Sequence, residues 1–214
     1  MKNVQIEPLG EAAFILRHLE DVPAWAVAQA LARDPRIEEA APAYDTVGVY
    51  VRPGLKAATL KEILESLEIA DVSEPKTHVV PVCYELGLDF AEVQSRLSLR
   101  PSEVIRHHLA PIYTCFAVGF APGFPFLGYL DDALAGLPRR SSPRPHVPPG
   151  SVGITGRQTG IYPSSTPGGW NLIGRTPLIL ADLEDAYFPI AAGDQIQFES
   201  ISASEFEALE GKRL

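Results

Sequence analysis

From Pro111 onward the chain almost stops offering helical periodicity. Short apolar runs (IYTCFAVGF, SVGIT, GIYP, WNLIG, PLILAD, DQIQFESI) are cut at close intervals by glycine and proline. Proline removes a backbone donor and glycine weakens a helix interior, so runs this short do not grow into helices. They suit strands, and many short strands separated by turn residues are the pattern of a sandwich or a barrel. Closure is what disposes of exposed strand edges. The second part of the chain is therefore expected to be a closed or partly closed β-barrel. A strand over 77–83 leads into it, helices over 90–97 and 101–109 precede its main run, and a short helix over 202–209 follows.

The first part alternates differently. Short strands are expected over 4–7 and 14–16, then a helix over 23–32, with Asp21 placed to cap it and Pro23 in its first turn. Strands over 37–41 and 46–51 flank the turn segment APAYDT. A second helix over 56–67 carries Leu60, Ile63, Leu64 and Leu67 at helical spacing. This alternation suggests a ferredoxin-like or related two-layer unit. Glu74-Pro75 is a natural linker point, which divides the chain into 1–75 and 76–214.

Composition removes several classes of function. No window approaches ~20 uninterrupted apolar residues, so no transmembrane helix and no membrane partner are expected. The first 20 residues carry neither a long apolar run nor a small-residue cleavage site, unlike a signal peptide. Two cysteines, Cys83 and Cys115, make no disulfide framework and are too sparse for a zinc site. They read as reduced, buried thiols of a cytoplasmic protein, and no bound metal is expected. A net charge of −9 argues against nucleic acid. Yet from residue 133 to residue 181 there is no Asp or Glu, while Arg139, Arg140, Arg144, Arg157 and Arg175 all fall there. That local excess suits an anionic ligand or an acidic partner surface.

Several motifs fail a physical test. Gly169-Trp-Asn-Leu-Ile-Gly174-Arg-Thr176 has the spacing of a phosphate-binding P-loop. Its interior is bulky and strand-like, its lysine is an arginine, and Pro177 pushes Thr176 away from helical dihedrals. Ser151 has Pro149 where a nucleophile elbow needs glycine. His107 and His108 are adjacent on a helix, so they face different ways and cannot share a metal. Each is either a packed or solvated helix histidine or, for His108 near the turn at Pro111, a group at the barrel mouth. The loop GFAPGFPFLG holds Phe120, Phe124 and Phe126 on a rigid frame. It is either a core corner or an aromatic platform for a partner or ligand.

These segments also resemble a known family. GFAPGFPFLGYL followed by PRRSSPRPHVPPGSVGITGRQTGIYPSSTPGGWNLIGRTP is similar to the signature of the family containing KipI, the 5-oxoprolinase B subunit and allophanate hydrolase subunit 1. APAYDTVGVYV and the PSEVIRHH helix match as well, with His108 at the family's histidine position. The resemblance covers nearly the whole chain. It implies an α+β protein: an N-terminal ferredoxin-like α/β-sandwich domain plus a C-terminal cyclophilin-like β-barrel domain. Arg100 stands where a Ser or Thr helix cap is usual, so the helix after it is expected to fray. Phe126 replaces a common Tyr.

The resemblance implies one component of an ATP-dependent 5-oxoprolinase complex, opening 5-oxo-L-proline to L-glutamate and inactive alone. Its implied partners are a KipA-type protein (the 5-oxoprolinase C subunit) and a LamB/YcsF-type protein (the A subunit), with ATP and Mg2+ held at the level of the complex. It also leaves open a KipI-type inhibitor of histidine kinase autophosphorylation, with a kinase as partner. A third option is half of a carboxyltransferase of the urea carboxylase or allophanate hydrolase kind. On this reading His108, Arg157 and Arg175 are the candidate catalytic residues, His108 because an ordinary imidazole titrates near neutrality. Arg139 and Arg144 join an anion pocket with hydrogen bonds from Ser151, Gln158, Thr159 and Asn171, and Tyr162 and Trp170 form its wall. Phe120, Phe124 and Phe126 face a partner. Gly153, Pro163 and Gly168 are expected to shape tight barrel turns.

Overall fold

The structure is a computed structural model that describes residues 1, 3–19, 22–69 and 72–214. The chain forms two compact units, Met1–Pro75 and Lys76–Leu214.

In the first unit, β1 (Gln5–Pro8), β2 (Ala13–Arg17), β3 (Ile37–Ala43) and β4 (Thr46–Val51) form an antiparallel sheet in the order β1-β2-β4-β3. Helices α1 (Ala24–Leu31) and α2 (Ala57–Glu65) share one apolar cluster with it, in which Val27, Leu31, Leu60 and Ile63 meet Leu16, Val47 and Val49. The strand order is that of a ferredoxin-like sheet with one change. The edge strand beside β2, which ordinarily comes last in the chain, is supplied first, by β1. Asp21 lies outside the described residues. Pro23 occupies the cap position of α1 and makes no side-chain cap bond.

The second unit is a barrel. β5 (Thr77–Val82), β6 (Tyr113–Val118), β7 (Pro125–Gly128), β9 (Ser151–Thr155), β10 (Gln158–Ile161), β12 (Asn171–Arg175) and β13 (Gln195–Ser200) run in the order β12-β9-β10-β7-β6-β13-β5. The ring closes just past the end of β5. Cys83 and Arg175 exchange both backbone hydrogen bonds, at 2.9 and 3.0 Å. All pairings within the sheet are antiparallel except β13 with β5. A separate ribbon joins β8 (Arg144–Val147) to β11 (Thr166–Gly168). Of the apolar runs, PLILAD supplies only isolated bridges, at Ile179 and Asp182.

Helices α3 (Phe90–Leu97) and α4 (Pro101–Leu109) pack Val93 and Val104 into the barrel core beside Val82, Leu127 and Ile196. The start of α4 is not left uncapped by Arg100. Glu103 accepts from the Arg100 backbone N–H at 2.8 Å and from its guanidinium at 2.8 Å, which ties the cap residue to the first turn without a hydroxyl. α5 (Ala203–Leu209) starts with a reciprocal Ser202–Glu205 box. Cys83 and Cys115 are both free and buried, and burial pushes the Cys115 thiol up to about 12. Among the described residues no helix is long and apolar enough to cross a membrane.

Candidate functional site

A cluster of aromatic rings, distinct from the main barrel core, sits where the β6–β7 loop meets β10, β11 and the start of β12. The loop turns at Phe120, whose φ of 68° throws its ring outward, and at Gly123. Phe124 comes back in and is fully buried, while Phe120 stays 65% exposed. Phe124 is the hub. Its ring meets Tyr162 edge to face at 5.0 Å, Trp170 at 5.5 Å and Phe120 at 5.4 Å, and Phe126 leans on Trp170 at 5.9 Å. Such tilted pairs are the favoured geometry of aromatic quadrupoles. Between the rings lies a pocket of about 240 Å³, with Arg139 at its edge.

Glycines make this array possible, by clearance and not by turn geometry. Gly153 lies in β9, Gly160 in β10 and Gly168 in β11. A Cβ at Gly160 would come within 3.0 Å of both Phe124 and Trp170, and one at Gly153 within 3.0 Å of Trp170. At Gly168 it would stand 2.7 Å from the Tyr162 ring. This corrects the expectation that Gly153 and Gly168 shape turns. Gly168→Ala is expected to push Tyr162 off its position and cost about 1–3 kcal/mol of stability. A thermal melt read together with near-ultraviolet circular dichroism checks this; a melt and an aromatic signal like those of the parent would refute it.

The structure brings Phe120, Phe124, Phe126, Arg139, Tyr162 and Trp170 together, although the sequence assigned the phenylalanines to one role and the rest to another. It does not bring the four arginines together. Arg144 makes a two-pronged ion pair with Asp89 at 2.6 and 2.8 Å, joined by Arg140 at 2.7 Å. Asp89 is almost fully buried and also accepts the Leu172 backbone N–H at 2.8 Å. Arg157 sits at the β9–β10 turn, largely exposed, 3.5 Å from Asp132 and over the Tyr129 ring. Arg175 donates from Nε to the Pro149 carbonyl at 2.8 Å and covers Phe206. It lines a second cavity of about 470 Å³ with Pro163, Thr176 and Glu210. The acid-free stretch is thus largely neutralised by acids distant in sequence, namely Asp89, Glu92 and Asp132.

His108 is not at the barrel mouth. It is fully buried, stacked on Phe198 at 4.6 Å. Tyr84 lies 2.7 Å from its Nδ1 and Thr159 3.0 Å from its Nε2. The Thr159 hydroxyl donates to the Gly153 carbonyl, so its oxygen receives Nε2–H. Nδ1 then accepts from the Tyr84 hydroxyl. Burial pushes the imidazole down to about 3, which removes the near-neutral titration that suggested proton transfer. His107, on the other side of the helix, pairs with Asp131 at 3.0 Å. Ser151 donates to the Pro148 carbonyl, and Asn171 donates to the carbonyls of Pro138 and Ile154. Gln158 begins β10 opposite Gly128. The Ser151 hydroxyl and the Asn171 amide nitrogen thus serve the barrel's own backbone. Sequence reasoning missed Asp89 and Tyr84. Asp89 stands just before α3, a visible capping position, but its side chain turns to the arginines instead.

A family model described as carboxyltransferase domain, subdomain C and D, matches residues 4–188. The 5-oxoprolinase B subunit of Bacillus subtilis (strain 168) is 40% identical over 230 residues, spanning 95% of this chain and 95% of that protein. The crystal structure of TTHA0988 superposes with a TM-score of 0.78 at 37% identity, over 89% of this chain. This chain spans only 40% of that one. The Kluyveromyces lactis urea carboxylase shares the fold at a TM-score of 0.66 and 15% identity, over 96% of this chain and 22% of its own length. Barrel, aromatic loop and glycine-cleared ring array accordingly stand in a chain that belongs to the carboxyltransferase subdomain C and D family, the one that holds the 5-oxoprolinase B subunits.

Proposed function

We propose that this chain is the B subunit of an ATP-dependent 5-oxoprolinase, which opens 5-oxo-L-proline to L-glutamate with ATP hydrolysis. Its partners in this reading are a KipA-type C subunit and a LamB/YcsF-type A subunit, and it turns nothing over alone. The observation that carries the reading is the near full-length likeness to a protein named as the B subunit of 5-oxoprolinase. The urea carboxylase likeness, at 15% identity, speaks for the barrel and not for carboxyl transfer.

A triphosphate with Mg2+ calls for several converging donors or cations. Here Arg140 and Arg144 are committed to Asp89, and Arg139 and Arg175 line different cavities. ATP is therefore assigned to the assembled complex, with Arg157 as one group this chain extends toward an anion. Co-expression with candidate A and C subunits, followed by an assay of 5-oxoproline-dependent ATP hydrolysis and glutamate release, tests the function. Full assembly with no glutamate formed would sink it. Arg157→Ala is expected to lower the activity of the complex at least about tenfold. Its melting temperature should hold, because the Asp132 contact it loses is exposed and long. Unchanged activity would remove Arg157 from the site.

A further inference from the structure

The aromatic pocket has a chemistry that the arginine cluster does not. Its walls are ring faces and edges from Phe120, Phe124, Phe126, Tyr162 and Trp170, and no acid lines it. Arg139 is exposed at its edge, and among the described residues its guanidinium has no hydrogen bond or ion pair. The two neighbouring arginines along the chain, Arg140 and Arg144, are both held by Asp89. Arg139 is thus a cation with its fork of donors unspent, set beside an apolar cleft. The Tyr162 hydroxyl lies near the Trp170 backbone amide and carries an O–H donor in the pocket lining. That hydroxyl lies against Gly168, where a Cβ would stand only 2.5 Å away.

Size narrows the occupant. About 240 Å³ falls below the roughly 300–1,000 Å³ of drug-sized sites, so a nucleoside triphosphate does not fit. One free guanidinium matches one carboxylate, and a planar fork binds it in two-pronged fashion. Flat ring faces match a small, nearly planar ring. The Tyr162 hydroxyl proton matches a ring carbonyl.

We infer that this pocket is where the chain takes the 5-oxo-L-proline ring, with Arg139 on the carboxylate, Phe120 and Trp170 against the ring, and the Tyr162 hydroxyl available to the lactam oxygen. The inference rests on the 5-oxoprolinase reading and adds to it the place of the substrate within this chain. It also gives the glycines a purpose. Gly153, Gly160 and Gly168 clear the space that holds Tyr162 and Trp170 rigid, so the pocket is formed before the substrate arrives.

The test uses the assembled complex carrying Arg139→Gln, with Arg139→Lys as the milder change. Arg139→Gln is expected to raise KM for 5-oxo-L-proline about tenfold or more, since a charge-assisted bond is lost. KM for ATP should stay within about twofold and the melting temperature should not move. Arg139→Lys, which keeps the charge but not the fork, should fall between. Binding of 2-pyrrolidone, the same ring without the carboxylate, should be equal in the parent and Arg139→Gln complexes. An unchanged KM for 5-oxo-L-proline in an active complex overturns the pocket while the function stands. If the parent complex forms no glutamate, the function fails, and equilibrium binding of 5-oxo-L-proline to the same assembly decides the pocket. Binding that Arg139→Gln weakens keeps it; absent or unaltered binding overturns it.

Discussion

Asp89→Ala lowers the stability of the barrel unit by about 3 kcal/mol, the low end of the cost of breaking a buried ion pair from one side. Three partners lose an acceptor at once, the Arg144 fork, the Arg140 guanidinium and the Leu172 backbone N–H, although Arg140 keeps Glu92 at 2.9 Å. The two arginines keep about a quarter of their side-chain surface exposed, so water recovers part of the loss for them. The Leu172 amide, fully buried in β12, has no such recourse. A melting temperature roughly 10 °C below the parent is expected for a unit of this size. Asp89→Asn, which keeps an acceptor for Leu172 but not the charge, should fall in between. If Asp89→Ala melts with the parent, the cluster contributes nothing to stability.

His108 gives the second large effect, and its sign is fixed by burial. The folded protein holds the imidazole at about 3, against an ordinary 6.5. Above pH 6.5 both folded and unfolded states are neutral at this site, and the Tyr84–His108–Thr159 network is intact. As pH falls below 6.5 the unfolded chain takes up the proton first. Stability is then lost at up to ~1.4 kcal/mol per pH unit until the folded site itself titrates near 3. Between pH 6.5 and 4.5 the loss reaches roughly 2–3 kcal/mol. Denaturant unfolding of the parent and of His108→Gln across that range isolates the contribution, since the carboxylates are common to both. The variant should show the shallower fall. Parallel curves would mean that His108 is not held neutral by the core.

Much of this fold was legible from local pattern. The close spacing of glycine and proline after Pro111 announced the barrel, and helix α4 began where Pro101 marked it. The phenylalanine loop was recognisable as a rigid frame, though whether it served the core or a surface was not. The answer is both: Phe124 is buried and Phe120 is exposed, and across the left-handed turn at Phe120 the two rings still meet edge to face. The arginines misled for a related reason. An acid-free stretch of sequence is not an acid-free region of space once Asp89 and Asp132 fold onto it.

What the sequence by itself determined was the alternation of elements, the barrel and the family, since periodicity, turn residues and motif spacing are local properties of the chain. What only the tertiary structure decided was which charges are spent and which are free. Asp89 meets Arg144 across 55 residues and Leu172 across 83, and His108 meets Thr159 across 51. Among the described residues Arg139 is left without an ion pair by the same packing that engages Arg140, its neighbour in the chain. Residues adjacent in sequence can face opposite directions, and pairing energy falls off within a few ångströms, so a free cation is recognised only when its surroundings are known.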